Sequence, residues 1–368
     1  MSDQIERNIL LNPGPATTAR SVKEALVVND ICPREEEFGT VLTDISEGLL
    51  KIGNGSEQYQ ACLFAASGTG AVEAMLTSAL GADEKVLIIT NGAYGIRMEK
   101  ICDAFSRDFE TICRFGEYPQ VDRLRQKLQE EDFTHLAAVH HETSTGMMNP
   151  LEEISHLCRE FGVKLIVDAM SSFGAYPIDL DRSGISYLAA SSNKCIHGMP
   201  GLSFVIFHTD CVDEIEKNNG NFYFDMYRQW SYLKQKGQLR FTPPVQVCYS
   251  FREAIKDTLE ETVENRWQRY RQNWQVLYDG IRQLGFRFYL PMEQQSHILM
   301  AVALDGVLHR GFDHFHDYLY GKNITVYPGV IPETDTFRMA VIGDLYPRDL
   351  HYVVEQIEQY LDAADERT

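Results

Sequence analysis

Lys164-Leu165-Ile166-Val167-Asp168-Ala169-Met170-Ser171-Ser172 decides the fold. A short aliphatic run without polar alternation reads as a strand buried on both faces, as in a parallel sheet covered by helices. The run ends in one carboxylate, and open α/β sheets bind their ligands beyond the carboxyl ends of the strands. Asp168 is therefore expected at a site. An acid there can keep a pyridine nitrogen protonated. The other reading is a carboxylate that caps the next helix.

Outward from this strand, Leu188-Ala189-Ala190-Ser191-Ser192-Asn193-Lys194-Cys195-Ile196-His197-Gly198-Met199-Pro200-Gly201 puts a lysine at the end of a second apolar run, before the strand Leu202 to Phe207. Burial disfavours an ammonium, and a neutral amine is the form that attacks a carbonyl to make a Schiff base. A lysine whose stem crosses the sheet end while its head reaches solvent is the alternative. Upstream, Ser67-Gly68-Thr69-Gly70 precedes Val72, Met75, Leu76, Ala79 and Leu80 at helical spacing, so it reads as a loop opening a helix. Its N–H groups and hydroxyls suit a phosphate, although any helix can start on Ser or Thr. The order phosphate loop, strand-end Asp, later Lys says more than any one of them.

The same alternation covers much of the chain. Runs at Lys85 to Thr90, Thr111 to Arg114, His135 to His140, Leu165 to Val167, Tyr187 to Ala190 and Ser203 to Phe207 are separated by helical stretches. Ile154, Leu157, Cys158 and Phe161 mark the clearest of those helices. This is an α/β pattern with a mainly parallel sheet. A long helix at about Leu259 to Leu284 follows. Strands are then expected at Phe286 to Leu290, Ile298 to Leu304, Thr325 to Tyr327 and Phe337 to Ile342, with a final helix carrying Leu350, Val353, Val354, Ile357 and Leu361. The acidic stretch Asp30 to Phe38 reads as a loop. Residues 209 to 258 show no clear rhythm, and include the acidic and aromatic segment Asn218 to Asp225.

Composition narrows the function classes. The 368 residues are 44% hydrophobic and 24% charged, ordinary for a globular protein of about two domains. A formal charge of −19, from 34 Lys+Arg against 53 Asp+Glu, repels nucleic acid and anionic membranes. An anionic substrate must then meet a local cation, which singles out arginines. Cysteines at 32, 62, 102, 113, 158, 195, 211 and 248 lack paired spacing and fit free thiols of a reducing cytosol, so neither disulfides nor a metal site is expected. His141-Glu142-Thr143-Ser144-Thr145 lacks the second histidine of a zinc-protease helix, and Gly146 follows it, so it reads as a loop. Met1 to Arg7 has no signal-peptide pattern, and no apolar run approaches the roughly 18 residues of a membrane span.

Several stretches carry a resemblance: Leu10-Leu11-Asn12-Pro13-Gly14-Pro15, Ser67-Gly68-Thr69-Gly70, Asn91-Gly92-Ala93-Tyr94-Gly95, His141 to Gly146, Val167 to Gly174, Ser192-Asn193-Lys194-Cys195-Ile196, Arg240-Phe241-Thr242, Tyr327-Pro328-Gly329 and Phe337-Arg338. On these, the chain resembles the class V aminotransferases among the fold-type I pyridoxal phosphate (PLP) enzymes. The resemblance implies a large domain over 21–258 with a seven-stranded sheet, one strand of it antiparallel near Ser203. It also implies a smaller α+β domain over 259–368 and an arm over 1–20 near the substrate entrance of a homodimer. Lys194 would hold PLP and Asp168 its ring nitrogen. Ser67, Gly68 and Thr69 would grip the phosphate, joined by Thr242 from the neighbouring subunit. Tyr94 would stack on the ring, and Thr143, preferred over Ser144, would bond the phenolic oxygen. Arg338 would hold the substrate anion, since a guanidinium suits phosphonate and carboxylate alike. Asn193, where the wider family mostly has His, Gln or Arg, favours an aminophosphonate-using branch over a glyoxylate-using one. A dinucleotide-binding loop is disfavoured, because Glu73 stands where its third glycine belongs.

Overall fold

Seven strands form one sheet in the order Tyr59–Phe64, Ser203–His208, Ile185–Ser191, Lys164–Asp168, His135–Val139, Lys85–Ile89, Asp108–Ile112. This is a computed structural model, describing residues 8–218, 221–304 and 307–365. Met1 to Arg7 and the Asn219-Gly220 part of the acidic and aromatic segment lie outside the described residues. Alternate residues of each strand serve opposite cores. Leu63, Leu87, Leu136, Leu165, Val167 and Leu188 join one apolar cluster, whereas Phe64, Val86, Ala137, Ile166 and Ala189 join another. Two buried faces explain why the strands read as continuous apolar runs.

The strand at Ser203–His208 is antiparallel to both neighbours, and the remaining pairs of the sheet are parallel. Asp168 ends an interior strand, in register with Val139 and Ala189. The helix Leu151–Phe161 starts with Glu152 and Glu153, suited to the positive end of its dipole, and stops where Gly162 adopts φ 65°. Its Ile154, Leu157 and Cys158 are buried. Truncating Leu157 to Ala would remove about 2–5 kcal/mol.

Several expectations need correction. The edge strand Tyr59–Phe64 is not among the apolar runs singled out in the sequence. The loop expected over Asp30 to Phe38 ends at Glu35: Glu36 and Glu37 are the first turn of a helix, Glu36–Ile52, whose Phe38, Val41, Leu42, Ile45 and Leu49 are buried. Their acidity stabilises a helix N-terminus. Residues 209–258 contain the helix Met226–Lys236 and most of the helix Val245–Glu261. The long helix begins at Val263, because Thr262 takes φ 66° and ψ 149° and its side chain caps Asn265 N–H. The strand expected at Thr111 to Arg114 runs instead over Asp108–Ile112.

In the C-terminal part, Leu299–Ala303, Thr336–Ala340 and Tyr327–Pro328 form a three-stranded sheet. Phe286 to Leu290 contributes one bridge, Phe288 to Val302, and no strand. The stretch at Thr325 to Tyr327 is split. Ile324–Thr325 pairs in parallel with Ile9–Leu10, while Tyr327–Pro328 pairs with the strand of Arg338. The arm is thereby stitched to the C-terminal part, and Leu11 O accepts from Ala340 N–H at 2.7 Å. No described helix is long and apolar enough to cross a membrane.

Candidate active site

The carboxyl ends of the interior strands bring Asp168 and Lys194 together. Burial pushes the Asp168 carboxyl up to about 6, opposed by the Met170 N–H that donates to Oδ1 at 2.9 Å and by the charges of Arg97 and Lys194. Oδ2 makes no hydrogen bond among the described residues. Lys194 is half-buried, and burial pushes its pKa down against the pull of Asp168, with Arg338 and Arg97 adding to the depression. Its Nζ donates to Pro13 O at 2.7 Å. The next residue, Gly14, has φ +120°, and a Cβ there would stand 2.4 Å from Lys194 Cδ. Only glycine lets the arm lie against the lysine.

The hairpin after His135–Val139 supplies the next wall. His141–Glu142 pairs with Met147–Met148, so the expected loop begins and ends as a short ladder. Glu142 is fully buried and held by Ser144 N–H and Oγ–H on Oε1, and by Tyr94 N–H and Gly95 N–H on Oε2. It thus occupies the N-terminus of the helix Ala93–Ala104 and fixes where Tyr94 begins. Ser144 spends its hydroxyl on this carboxylate. The Thr143 hydroxyl oxygen is buried without a partner, the state expected of a group that waits for a ligand. His141 is also buried. Its Nδ1 lies 3.2 Å from Ser171 O, Nε2 has no partner, and burial pushes its pKa down to about 4.

Arg338 reaches this hairpin from the C-terminal sheet. Nη1 donates to Thr143 O at 3.3 Å and Nε to Pro328 O at 3.1 Å, with the Tyr94 and Tyr327 phenols nearby. Two backbone carbonyls hold the guanidinium, and no carboxylate pairs with it among the described residues. Its charge remains for an incoming anion.

Ser67, Gly68 and Thr69 open the helix Gly68–Ala79 as expected, with Ser67 at the N-cap. Met170, two residues after Asp168, packs against Gly68. Ser67 and Thr69 are exposed in the single chain. Thr242 is exposed too, between the helices Met226–Lys236 and Val245–Glu261, and no hydrogen bond joins it to the Lys194 cluster among the described residues. Its neighbour Phe241 stacks on Tyr223 at 4.8 Å, and Tyr223 OH donates to Ala65 O at 3.2 Å.

Four contributors were not assigned a part in the sequence. Pro13 and Gly14 meet Lys194 from across the chain, Glu142 seats Tyr94, and Arg97 joins Thr69 to Tyr94. The spacing of Tyr94 and Arg97 on one helix was the available signal for the last.

The residues present fit PLP. Lys194 offers an amine shifted toward neutrality, Asp168 a buried acid, Thr143 an unpartnered hydroxyl, and Ser67 to Thr69 a helix N-terminus for the phosphate.

Comparison with known proteins agrees. Residues 23–330 match the family described as aminotransferase class-V. The chain is 39% identical over 360 residues to a 2-aminoethylphosphonate–pyruvate transaminase of Bacteroides fragilis, covering 95% of this chain and 98% of that protein. It is 38% identical over 352 residues to one of Syntrophobacter fumaroxidans, covering 94% of each. Among solved structures, an alanine–glyoxylate aminotransferase from Nostoc sp. superposes with a TM-score of 0.89 at 27% identity, covering 98% of this chain and 96% of that one. A family match over most of the chain, with relatives aligned nearly end to end, shows that this protein belongs to the class V aminotransferases, fold-type I enzymes that use PLP.

Proposed function

We propose that the protein moves the amino group of 2-aminoethylphosphonate to pyruvate, yielding phosphonoacetaldehyde and alanine. The observation that carries this reading is the near full-length likeness to relatives bearing that activity in their names. An unpaired guanidinium at the mouth of the site, Arg338, supports it, because both substrates are anions that differ in shape and share the need for a bidentate cation.

When bound, PLP supplies the electron sink that makes the substrate carbon acidic. The residues do the rest. Lys194 would attach the cofactor through Nζ, whose burial shifts it toward the neutral form. The same Nζ, within the cluster that holds Asp168 and Arg338, would be the base that takes the proton from the substrate carbon. Asp168 would keep a proton on the ring nitrogen, and the unpartnered Thr143 hydroxyl would donate to the phenolic oxygen. Tyr94 backs the ring. Ser67, Gly68 and Thr69 bind the phosphate, and Arg338 grips phosphonate in one half-reaction and carboxylate in the other.

We read the molecule as a homodimer in which Thr242 of a second copy completes the phosphate site. Exposure of Thr242 beside an aromatic group that includes Phe222, 75% exposed, supports a surface meant to be covered. We take 21–258 as the cofactor domain and 259–368 as the smaller one, of which 305–306 and 366–368 lie outside the described residues.

The likeness to the Nostoc enzyme favours a second reading, alanine or serine with glyoxylate. Initial rates with 2-aminoethylphosphonate, alanine and serine against pyruvate and glyoxylate decide between them. Turnover of the aminophosphonate with pyruvate is expected to dominate. No turnover of the aminophosphonate would end the substrate assignment.

A further inference from the structure

Arg97 stands in the site without a role in the reading above. It lies one helical turn after Tyr94. Its Nη1 donates to Thr69 Oγ1 at 3.0 Å, and its Cζ lies 4.6 Å from the centroid of the Tyr94 ring. A single guanidinium therefore touches both the helix-opening loop and the aromatic ring at the sheet mouth. It makes no ion pair with a carboxylate among the described residues, although the chain carries a formal charge of −19.

A hydroxyl that accepts a hydrogen bond from a guanidinium must direct its own hydrogen elsewhere. Thr69 Oγ1 is in that position. Its hydrogen is free to point at an anion held on the N-termini of the helix Gly68–Ala79, where backbone N–H groups lack intrahelical partners. We propose that Arg97 is a positioning residue for the cofactor phosphate: it orients the Thr69 hydroxyl as a donor, backs the Tyr94 ring, and sets a positive charge beside the dianion. The proposal rests on the reading of Ser67 to Thr69 as the phosphate loop.

The two arginines then divide the anions between them. Arg338 is tied to Thr143 O and Pro328 O, on the hairpin and C-terminal sheet side, while Arg97 is tied to the phosphate loop. The field of Arg97 reaches Asp168 as well, where it favours the carboxylate. Lysine cannot replace it fully, because only a planar guanidinium stacks on a ring and donates sideways at once.

The test is titration of the cofactor-free protein with PLP and with pyridoxal, which lacks the phosphate, for wild type, Arg97→Met and Arg97→Lys. Wild type should prefer PLP. Arg97→Met should lose about tenfold or more in PLP affinity, the worth of one charge-assisted contact, with pyridoxal affinity changed less than about twofold. Arg97→Lys should fall between them. A merely structural part would lower both affinities by the same factor, and that result, or no change in either, overturns the proposal. A wild type that does not distinguish PLP from pyridoxal overturns the phosphate-loop reading itself, and the proposal with it.

Discussion

The two ends of the site differ in completeness. Around Lys194 and Asp168 the walls come from one chain: the arm lies on the lysine, the hairpin brings Thr143 and Arg338 together, and the polar groups are held from several sides. At Ser67 and Thr69 the surface is open, and Thr242 is exposed as well. The reacting end is built by strand ends, whose positions follow from the sheet. The proposed phosphate end is built by a helix start and a loop that are exposed in the single chain. Chemistry should thus depend on residues of one subunit, and cofactor retention on contacts between two.

Substitutions test this division, beginning with the largest effect. Lys194→Ala should lower kcat by roughly 10³-fold or more, since it removes both the proposed attachment point and the proposed proton carrier. Single-turnover rates check it. Asp168→Asn should lower kcat by on the order of 10²-fold, the scale of losing one preorganised electrostatic partner, and should also stabilise the cofactor-free protein. The sign follows from burial. The Asp168 pKa rises on folding from 3.8 to about 6, so its contribution to stability is fully present below about pH 4 and is lost as the pH rises through about 6. The variant should therefore gain over wild type on the order of 2 kcal/mol at pH 8, and little at pH 4. Denaturant melts of both proteins at the two pH values read this out, and an equal difference at each would refute it.

Arg338→Lys keeps the charge and loses the fork. KM for both anionic substrates should rise about 10- to 100-fold, with a smaller change in kcat. The smallest effect is expected at Thr242. Thr242→Ala should weaken PLP binding by about tenfold or less and leave kcat at saturating cofactor close to wild type. Should Thr242→Ala instead abolish kcat at saturation, the division between the two ends would be wrong.

The meeting of Asp168 and Lys194 at the strand ends was legible in the sequence. Asp168 and Lys194 each end a buried apolar run, and a charged residue in that setting stands out. The preference for Thr143 over Ser144 came from the family resemblance, and Ser144 is in fact engaged with Glu142. The edge strand Tyr59–Phe64 was harder to see, because Gln60 interrupts its apolar pattern. The helix from Glu36 was hidden by an acidic first turn that resembles a solvated loop. The contact of Pro13 and Gly14 with Lys194 joins residues about half the chain apart, and no local pattern encodes it. Arg97 gave only a weak signal, its spacing from Tyr94 on one helix, because an arginine on a half-exposed helix is ordinary until its partners are known.

The most direct measurement is reduction of the cofactor-loaded protein with borohydride, followed by digestion and peptide mapping by mass spectrometry. The account predicts the pyridoxyl phosphate adduct on the peptide that contains Lys194. An adduct on a different lysine, or no adduct at all, would contradict it.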